Sequence, residues 1–389
     1  MSAPAAVTWS AANARRMERQ FLLRPAMPGE AGPGEVVAAM LGAQAQVLSA
    51  AELSVGLRMN GASRQDVRDA LWGEEPSLVK TYGPRGTIHL LPYDELPLWT
   101  AALPAVPSGA SPFKPEARVT PDQAEEIVTA IGEALDGVRL TIDELGAEVV
   151  ARTGPWAGDL VMPAFQGMWP RWRQVVHLAG QRGALCFAPD RGRKVTYTRP
   201  RDIGEPLGAE EATRLLVRRF LCAYGPATAQ DFARWLSGPP GWASALFASL
   251  ASAGEIEAVE LAGEPGSWVV AGDTEFPAGP PRGVRLLPYF DAFVIASHPR
   301  ARLFPGRAYE RALNRGQAGN FPVLLVDGIA AGVWHQRRSG RRVTVTVEPL
   351  DALSTHQERE LAVEAERVGE VLEARAELVV GLVGVGPHA

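Results

Sequence analysis

The chain of 389 residues has few of the groups on which common enzyme chemistries depend. It contains only two cysteines, Cys186 and Cys222, and three lysines. Two thiols so far apart indicate a reducing compartment rather than a disulfide framework. The sequence shows no recognisable metal-binding cluster, glycine-rich phosphate loop or cysteine nucleophile. We therefore expect neither a metal nor another cofactor, and any catalysis must use less common groups.

Long hydrophobic runs are also missing. The first ten residues lack a basic segment followed by an apolar run, so they predict no signal peptide. The apolar tail at residues 378–385 is too short to span a bilayer. We expect a cytoplasmic protein without a membrane partner. With 46% hydrophobic residues, the chain can bury substantial cores, and its length predicts two to three domains.

The net charge of −5 conceals strong local asymmetry. Residues 171–201 contain eight basic residues and one acid, and residues 298–342 contain nine arginines against two acids. Nine acids follow residue 342, so negative charge is concentrated near the end of the chain. The two basic stretches could bind nucleic-acid phosphates or could be ordinary solvated faces.

The order of predicted elements repeats three times. Each copy has helical runs followed by two β-type runs joined by Gly, Pro or Asp, which is the chain order of a winged helix. Capping signals at Thr120-Pro121 and Thr141-Ile-Asp-Glu144 mark two helix starts in the second copy. The predicted class is α+β, with winged-helix units at residues 1–110, 111–205 and 206–282 and a small β-barrel domain at 283–389.

Within the first copy we expect a helix near residues 14–22, the glutamine-containing segment, a helix at 64–72 and a hairpin at 78–91. The second copy includes a third helix at 170–178, and the third copy has helices beginning near residues 210, 228 and 242. The last region predicts strands at 284–287, 292–296, 321–326, 329–334 and 342–347, then a closing helix at 355–378. Asp327-Gly328 is a tight hairpin signal between two of these strands.

A second hairpin in this region, residues 335–342, has a strongly basic tip. Four arginines surround Ser339-Gly340: Arg337, Arg338, Arg341 and Arg342. Such a tip is either a solvated turn or a finger that approaches a nucleic-acid groove.

Gln44-Ala45-Gln46 places two uncharged amides where an apolar helix is predicted to begin. Residues two apart point about 200° apart in a regular helix, so these side chains could share a target only in an extended segment or at the first turn of a helix. Gly42 would permit such a change of direction. Alternatively, one amide caps the helix and the other lies in solvent.

Three segments resemble the winged-helix DNA-binding family that includes the AlkZ-type DNA glycosylases and their YcaQ relatives. They are Gln44-Ala45-Gln46, the segment from Arg85 to Leu90, and the segment from Leu287 through Ser297-His298-Pro299-Arg300. The resemblance covers essentially the whole chain. It implies three tandem winged-helix units and a β-barrel arranged as a C-shaped DNA cradle. Family members studied for activity excise N7-alkylated purines and unhook interstrand crosslinks, often protecting antibiotic producers from their own DNA-damaging metabolites.

The resemblance implies that Gln44 and Gln46 are catalytic and orient a water molecule. The remaining candidate site residues are expected to contact DNA: His335, Arg337, Arg338, Arg341, Arg342, Arg171, Arg173, His298 and Arg300. We expect a monomer associated with the nucleoid, whose partner is double-stranded DNA carrying alkylated bases. No lysine near the motif suggests a lyase step. The alternatives are a non-catalytic winged-helix regulator and a paralogue that binds lesions without excising them.

Several other residues have structural interpretations that compete with functional ones. His89 lies in an apolar strand and is expected to be a core histidine. Asp291 is expected to have a structural role at a strand end. The helical periodicity predicted around Trp169, Trp172 and Trp235 places these side chains in the core or at a domain seam. His298 either contacts a phosphate or orders its loop.

Overall fold

The computed structural model describes residues 5–107, 109, 113–164 and 167–386. Within these ranges the fold is a mixture of helices and sheets, with three three-stranded sheets, one two-stranded hairpin and one five-stranded sheet. The mixed α and β class predicted from the sequence is confirmed. After its first strand and helix, the chain forms four blocks.

The first strand and helix make many of their contacts with later blocks. Strand β1 (Ala5–Val7) pairs in parallel with the strand that contains Val259. Helix α1 (Trp9–Arg19) binds two distant parts of the chain: Arg19 pairs with Asp273, and the Asn13 amide donates to the Gly328 carbonyl. The helix predicted near residues 14–22 therefore exists with shifted bounds, but it packs against later blocks.

The first block forms a sheet in the order β2-β4-β3. Its helices are α2 (Pro33–Met40), α3 (Leu48–Gly56), α4 (Arg64–Trp72) and α5 (Leu96–Ala105), and its strands are β2 (Ala43–Gln44), β3 (Leu78–Tyr82) and β4 (Ile88–Pro92). The hairpin and α4 occur where the sequence predicts them. Helix α2 was not predicted, and it ends in left-handed backbone at Leu41 (φ 57°) and Gly42 (φ 94°). The glutamine segment follows that turn as a strand.

The second block has a sheet in the order β5-β9-β8 and a separate β6-β7 hairpin. Its elements are α6 (Pro121–Ala134), β5 (Leu140–Thr141), α7 (Ile142–Thr153), β6 (Leu160–Ala164), β7 (Gly167–Pro170), α8 (Val176–Gln181), β8 (Cys186–Arg191) and β9 (Lys194–Thr198). Thr120 and Thr141 form capping boxes at the starts of α6 and α7, as predicted. The helix predicted at 170–178 is a 3₁₀ turn followed by α8.

The third block surrounds an aromatic core that also holds the first block. Its elements are α9 (Ala209–Tyr224), α10 (Ala229–Leu236), α11 (Pro240–Ser252), β10 (Ile256–Leu261) and β11 (Glu264–Val270). Phe220, Phe232 and Trp235 contact one another, and Trp235 meets Trp99 of α5 edge-on with centroids 6.4 Å apart. Buried aromatic contacts of this kind fix α10 relative to the first block.

The fourth block contains an open half-barrel sheet in the order β12-β13-β14-β15-β16. Its elements are β12 (Val284–Leu287), α12 (Ala292–Ala296), α13 (Arg300–Leu303), α14 (Arg307–Ala312), β13 (Val323–Val326), β14 (Ile329–Ser339), β15 (Arg342–Pro349), α15 (Thr355–Val371) and β16 (Arg375–Val380). In the described ranges β12 and β16 are edge strands, so the predicted barrel does not close. Helix α15 packs its buried face on the sheet through Leu361 and Val368.

Two sequence predictions in this block are wrong. Residues 292–296 form α12 instead of a strand, because the Asp291 carboxylate caps the segment by accepting from the Phe293 amide. The closing helix ends at Val371, and the last predicted turns form β16, which pairs in parallel with β15. The backbone of Glu373 (φ 52°) makes the turn between them. The Asp327-Gly328 hairpin is confirmed between β13 and β14.

A buried ion pair joins the first and fourth blocks. The Arg58 guanidinium donates from Nη1 to Asp291 Oδ2 at 2.8 Å and from Nη2 to Oδ1 at 2.9 Å, and both side chains are 0% exposed. The Ser54 hydroxyl donates to the same carboxylate at 2.6 Å, and Arg58 also donates to the Gln20 carbonyl. The pair is therefore hydrogen-bonded on both sides, as a buried ion pair requires. Asp291 has a structural position, as the sequence predicted.

Replacing Arg58 by Met should lower the free energy of unfolding by about 3–5 kcal/mol, because it leaves the Asp291 carboxylate buried without its charge partner. Arg64→Met is the matched control, since Arg64 pairs with Glu373 at the partly exposed surface. Loss of such a surface pair costs at most about 1 kcal/mol. Urea unfolding measures both, and equal small losses would show that the buried pair does not hold the blocks together.

Candidate active site

Gln44 and Gln46 lie in an extended segment at the edge of the first sheet. Ala43 and Gln44 pair with Leu90 and His89 of β4, and the Ala45 amide donates to the Ile88 carbonyl at 2.7 Å. Residues two apart on an extended chain point to the same side. The Gln44 amide nitrogen accordingly donates to Gln46 Oε1 at 2.5 Å. The geometric condition that the sequence set for a shared target is therefore met.

Arg85 contacts this pair from the β3-β4 turn. Its Nη2 donates to Gln44 Oε1 at 2.8 Å, and its Nη1 donates to the Trp235 carbonyl at 2.8 Å. Arg85 has left-handed backbone (φ 61°), an unusual conformation for a side chain of this size. Burial lowers the pKa of its guanidinium, but an arginine remains protonated at neutral pH. Arg85 thus links the glutamine pair to the end of α10.

The amide pair opens into a cleft of about 560 Å³ between the first, third and fourth blocks. Its polar lining includes four amides, three guanidinium groups and an imidazole: Gln44, Gln46, Gln317, Asn320, Arg85, Arg234, Arg300 and His298. Among the described residues that line it, none is an aspartate, a glutamate, a lysine or a cysteine. The cleft is therefore cationic and contains no carboxylate.

His298 and Arg300 border the cleft but also hold their own loop. Arg300 donates to the carbonyls of Val294 and Ile295, and the His298 carbonyl accepts from Arg16 at 2.8 Å. Burial, followed by the charge of Arg300, lowers the pKa of His298 to about 4. This histidine is neutral at pH 7. Arg16 and Arg300 thus hold this loop, and a phosphate contact of the His298 ring stays a prediction.

His89 lies behind the glutamine pair. Its ring is buried, and its Nδ1 lies 2.9 Å from the Thr87 carbonyl. Burial is the main cause that lowers the pKa of His89 to about 3. A neutral, hydrogen-bonded and inaccessible ring supports the sheet, as the sequence predicted.

The arginine-tipped hairpin consists of the ends of β14 and β15. All four arginines are exposed, but the Arg338 guanidinium donates to the Leu372 carbonyl at 3.0 Å, beside the end of α15. Arg337 alternates with Arg338 along the strand and so points to the opposite face, where His335 also lies. His335 borders a smaller cavity of about 170 Å³ that shares Phe290 with the cleft. The hairpin base therefore borders a cavity that lies beside the cleft.

Arg171 and Arg173 lie in the second block, outside this cleft. Arg171 donates to the Glu116 carbonyl and pairs with Asp159, so its positive charge is paired with a carboxylate of the same chain. Arg173 stacks on the Trp169 ring, with its guanidinium carbon 3.9 Å from the ring centroid. Trp169 lies on β7 and is 43% exposed, so its predicted place in a buried helical face is wrong. Trp172 and Trp235 are buried, as predicted.

Sequence reasoning did not name Arg85 or Arg234 as site residues. Arg85 had a local signal, because a Gly-Pro-Arg-Gly turn presents a large side chain between two flexible residues. Arg234 had none, since only the packing of α10 against α12 and its neighbours brings it to the cleft. No cluster of three or more metal-ligating side chains occurs in the part of the chain that the structure describes. None of the helices there has the length and hydrophobicity needed to cross a membrane.

A basic cleft lined by amides, beside an exposed arginine-tipped hairpin, is typical of a protein that acts on nucleic acid. The family model for AlkZ-like DNA glycosylases matches residues 37–371 of this chain. The chain therefore belongs to the AlkZ-like family, and it is a DNA glycosylase. The resemblance seen in the three sequence segments is confirmed.

A relative and a solved structure from Streptomyces sahachiroi are each similar over most of the chain. An interstrand DNA cross-link repair glycosylase is 32% identical over 335 residues, which is 84% of this chain and 87% of that protein. The solved structure of the DNA glycosylase AlkZ matches with a TM-score of 0.74 and 29% identity, covering 96% of this chain and 100% of that one. DNA is accordingly the substrate of this chain.

The neutral His298 makes stability depend on pH. Its pKa is about 6.5 in the unfolded chain and about 4 in the folded protein, so the unfolded state binds more protons between these values. Its contribution is present above pH 6.5 and is lost as the pH falls toward 4, by up to about 3 kcal/mol. Protonation would add charge beside Arg16, Arg234 and Arg300, with Asp231 the nearest acid.

We therefore expect His298→Gln to remove much of the stability loss between pH 6.5 and 4. Urea unfolding at a series of pH values measures the difference from the unsubstituted enzyme. Part of the acid loss should persist in the variant because His89, with a pKa of about 3, remains. An unchanged slope in the variant would show that His298 is not the group that titrates.

Proposed function

We propose that this glycosylase is monofunctional and excises cationic N7-alkylated purines, including bulky adducts and interstrand crosslinks. The observation that carries the proposal is the chemistry of the cleft. It offers hydrogen-bonded amides but neither a carboxylate nor a lysine among its described lining residues. The similarity to an interstrand DNA cross-link repair glycosylase supports the same class of lesion.

Neutral amides suit a base that already carries a positive charge. Alkylation at N7 weakens the bond between N9 and C1′, so the base can leave without a general acid. Water forms a bond to C1′ while the electron pair of the broken bond leaves with the base and neutralises it. An amide oxygen accepts a hydrogen bond from that water and orients it, and the released proton passes to solvent. Dipoles directed at the cationic sugar stabilise the transition state.

The absence of lysine from the described cleft lining supports a hydrolytic reaction without a Schiff base. A lyase step needs an amine to attack C1′. The lysines of this chain are at positions 80, 114 and 194, and none lines the cleft. The expected product is therefore an abasic site with an intact strand.

We further propose that the three sheet-containing blocks are tandem winged-helix units, which form a C-shaped DNA cradle with the half-barrel. The hairpin supports this because Arg337, Arg341 and Arg342 are exposed, and Arg337 and Arg342 lie on one face of the sheet. His335 lies on the same face as Arg337. Arg173, stacked on the exposed Trp169, is a further candidate phosphate contact. Arg171, Arg338 and Arg300 also have positions near these surfaces, but each donates to carbonyl oxygens of the protein.

Replacing Gln44 and Gln46 together by Ala should abolish release of 7-methylguanine, because it removes the amide acceptor that orients the attacking water. The measurement is single-turnover excision from alkylated duplex DNA, with the dissociation constant for the same DNA as the control for binding. DNA affinity should change little. Normal excision by the double variant would remove the mechanism, and release of uracil by the unsubstituted enzyme would contradict the restriction to labile bases.

Replacing Arg337, Arg341 and Arg342 by Ala should weaken DNA binding and flatten its dependence on salt. Each lost phosphate contact reduces the slope of log K against log salt concentration by up to about 0.9, so the triple variant should lose up to roughly 2.7 units. Arg359→Ala, on the exposed face of α15, controls for the removal of one positive charge. A triple variant with the slope of the unsubstituted enzyme would show that the hairpin does not approach DNA.

A further inference from the structure

The three side chains at the back of the cleft form a hydrogen-bonded chain with a fixed direction. A guanidinium group has donors and no acceptor, so the atom of Gln44 that faces Arg85 must be its oxygen. The Gln44 nitrogen then faces Gln46 and donates, so the atom of Gln46 that receives it must also be the oxygen. Arg85 therefore determines the orientation of two amides that could otherwise flip freely.

The two glutamines differ in their access to the cleft. Gln44 is 8% exposed, and its oxygen already accepts from Arg85. Gln46 is exposed, and its oxygen keeps one lone pair after accepting from Gln44. A water molecule in the cleft can thus reach the Gln46 oxygen but has little access to that of Gln44.

We propose that Arg85 is a positioning residue that fixes the direction of the pair, so that the Gln46 oxygen is the acceptor for the attacking water and Gln44 transmits the orientation. This inference rests on the proposed water-orienting role of the pair. Gln44 and Gln46, which look equivalent in the sequence, therefore have different roles. The division gives the two positions different tolerance to the same substitution.

The surroundings of Arg85 fit a positioning role. The Trp235 carbonyl belongs to the last turn of α10, where unpaired carbonyls carry partial negative charge and favour a cation. Trp235 is itself held in the aromatic core that joins α5 and α10. One planar guanidinium spans both acceptors, which a lysine ammonium does not reproduce. The docking of the third block on the first therefore determines where the guanidinium lies.

Gln44→Glu and Gln46→Glu are a matched pair of variants that make the same chemical change at two positions. A carboxylate at position 44 still accepts from Arg85, but it has no hydrogen to donate, so the Gln46 amide must turn its nitrogen inward and its oxygen away. We expect the single-turnover rate of 7-methylguanine release to fall about 100-fold, the loss typical of a misplaced reacting group. DNA affinity should remain within about 2-fold, since Gln44 is buried.

A carboxylate at position 46 preserves the direction of the chain. The Gln44 nitrogen still donates to it, and its second oxygen remains a good acceptor for water. We expect this variant to keep at least about a tenth of the unsubstituted rate, well within the 100-fold loss expected at position 44. Equal losses at the two positions, or a greater loss for Gln46→Glu, would overturn the assignment.

The role of Arg85 is tested by Arg85→Lys alone and combined with Gln44→Ala. The lysine keeps the charge but does not reach both acceptors, so the rate should fall about 10-fold or more with DNA affinity unchanged. In the Gln44→Ala background the same substitution should cause no further loss, because Arg85 acts through Gln44. Arg285→Lys is the control, since Arg285 is a half-buried arginine that donates to the Leu22 and Leu23 carbonyls away from the cleft. The excision rate of the Arg285→Lys variant should equal that of the unsubstituted enzyme.

The outcomes separate this inference from the proposed function. Excision by the Gln44 and Gln46 double alanine variant would defeat both. Loss of excision in the double variant, together with a further 10-fold loss from Arg85→Lys in the Gln44→Ala background, would defeat the positioning role alone. Thermal unfolding of every variant identifies a rate loss that comes from a damaged fold.

Discussion

The cleft depends on the buried ion pair between Arg58 and Asp291. Arg58 follows α3, which begins just after the glutamine segment, and Asp291 immediately precedes α12, between Phe290 and the His298 loop. The pair therefore holds the two walls of the cleft at a fixed separation. Burying two charges is costly, and the gain in stability over an apolar contact is small. The main contribution of the ion pair is to fix the geometry of the cleft, because a bidentate pair tolerates little sliding between the walls.

The cleft is positively charged because arginines line it and none of its described lining residues is a carboxylate. Three arginines line the cleft that contains the glutamine pair, and burial and neighbouring cations keep His89 and His298 neutral. A cationic base would be repelled from such a cleft in isolation. Under the proposed function, a DNA phosphate that accompanies the base would supply the balancing negative charge, so the cleft would favour an alkylated nucleotide in a strand over a free alkylated nucleoside. Charge balance would thereby make the DNA backbone part of the recognition.

The correct structural predictions are those whose signals come from residues close together in the chain. Capping boxes at Thr120 and Thr141, the hairpin at Asp327-Gly328 and the alternation in β15 each depend on residues close together in the chain. The extended form of the glutamine segment is harder to predict, because it depends on pairing with β4, which lies more than forty residues later in the chain. The apolar run at residues 292–296 fits either a strand or a short helix, and the cap that decides between them is held by Arg58. Parallel pairing with β15 likewise converts the predicted end of α15 into β16.

The distinction between local and long-range signals also applies to the residues of the cleft. The resemblance identified both glutamines, whereas Arg85 reaches the cleft on the β3-β4 turn and Arg234 reaches it through the docking of α10. The N-terminal strand shows how far such long-range contacts extend, since Ala5 pairs with Val259. During synthesis at about 5–20 residues per second, β1 must wait roughly 13–50 seconds for its partner strand to be made. A ribosome that stops before the third block is complete would release a chain whose first strand has no partner and whose cleft lacks a wall. The cleft is thus incomplete until most of the polypeptide has been made.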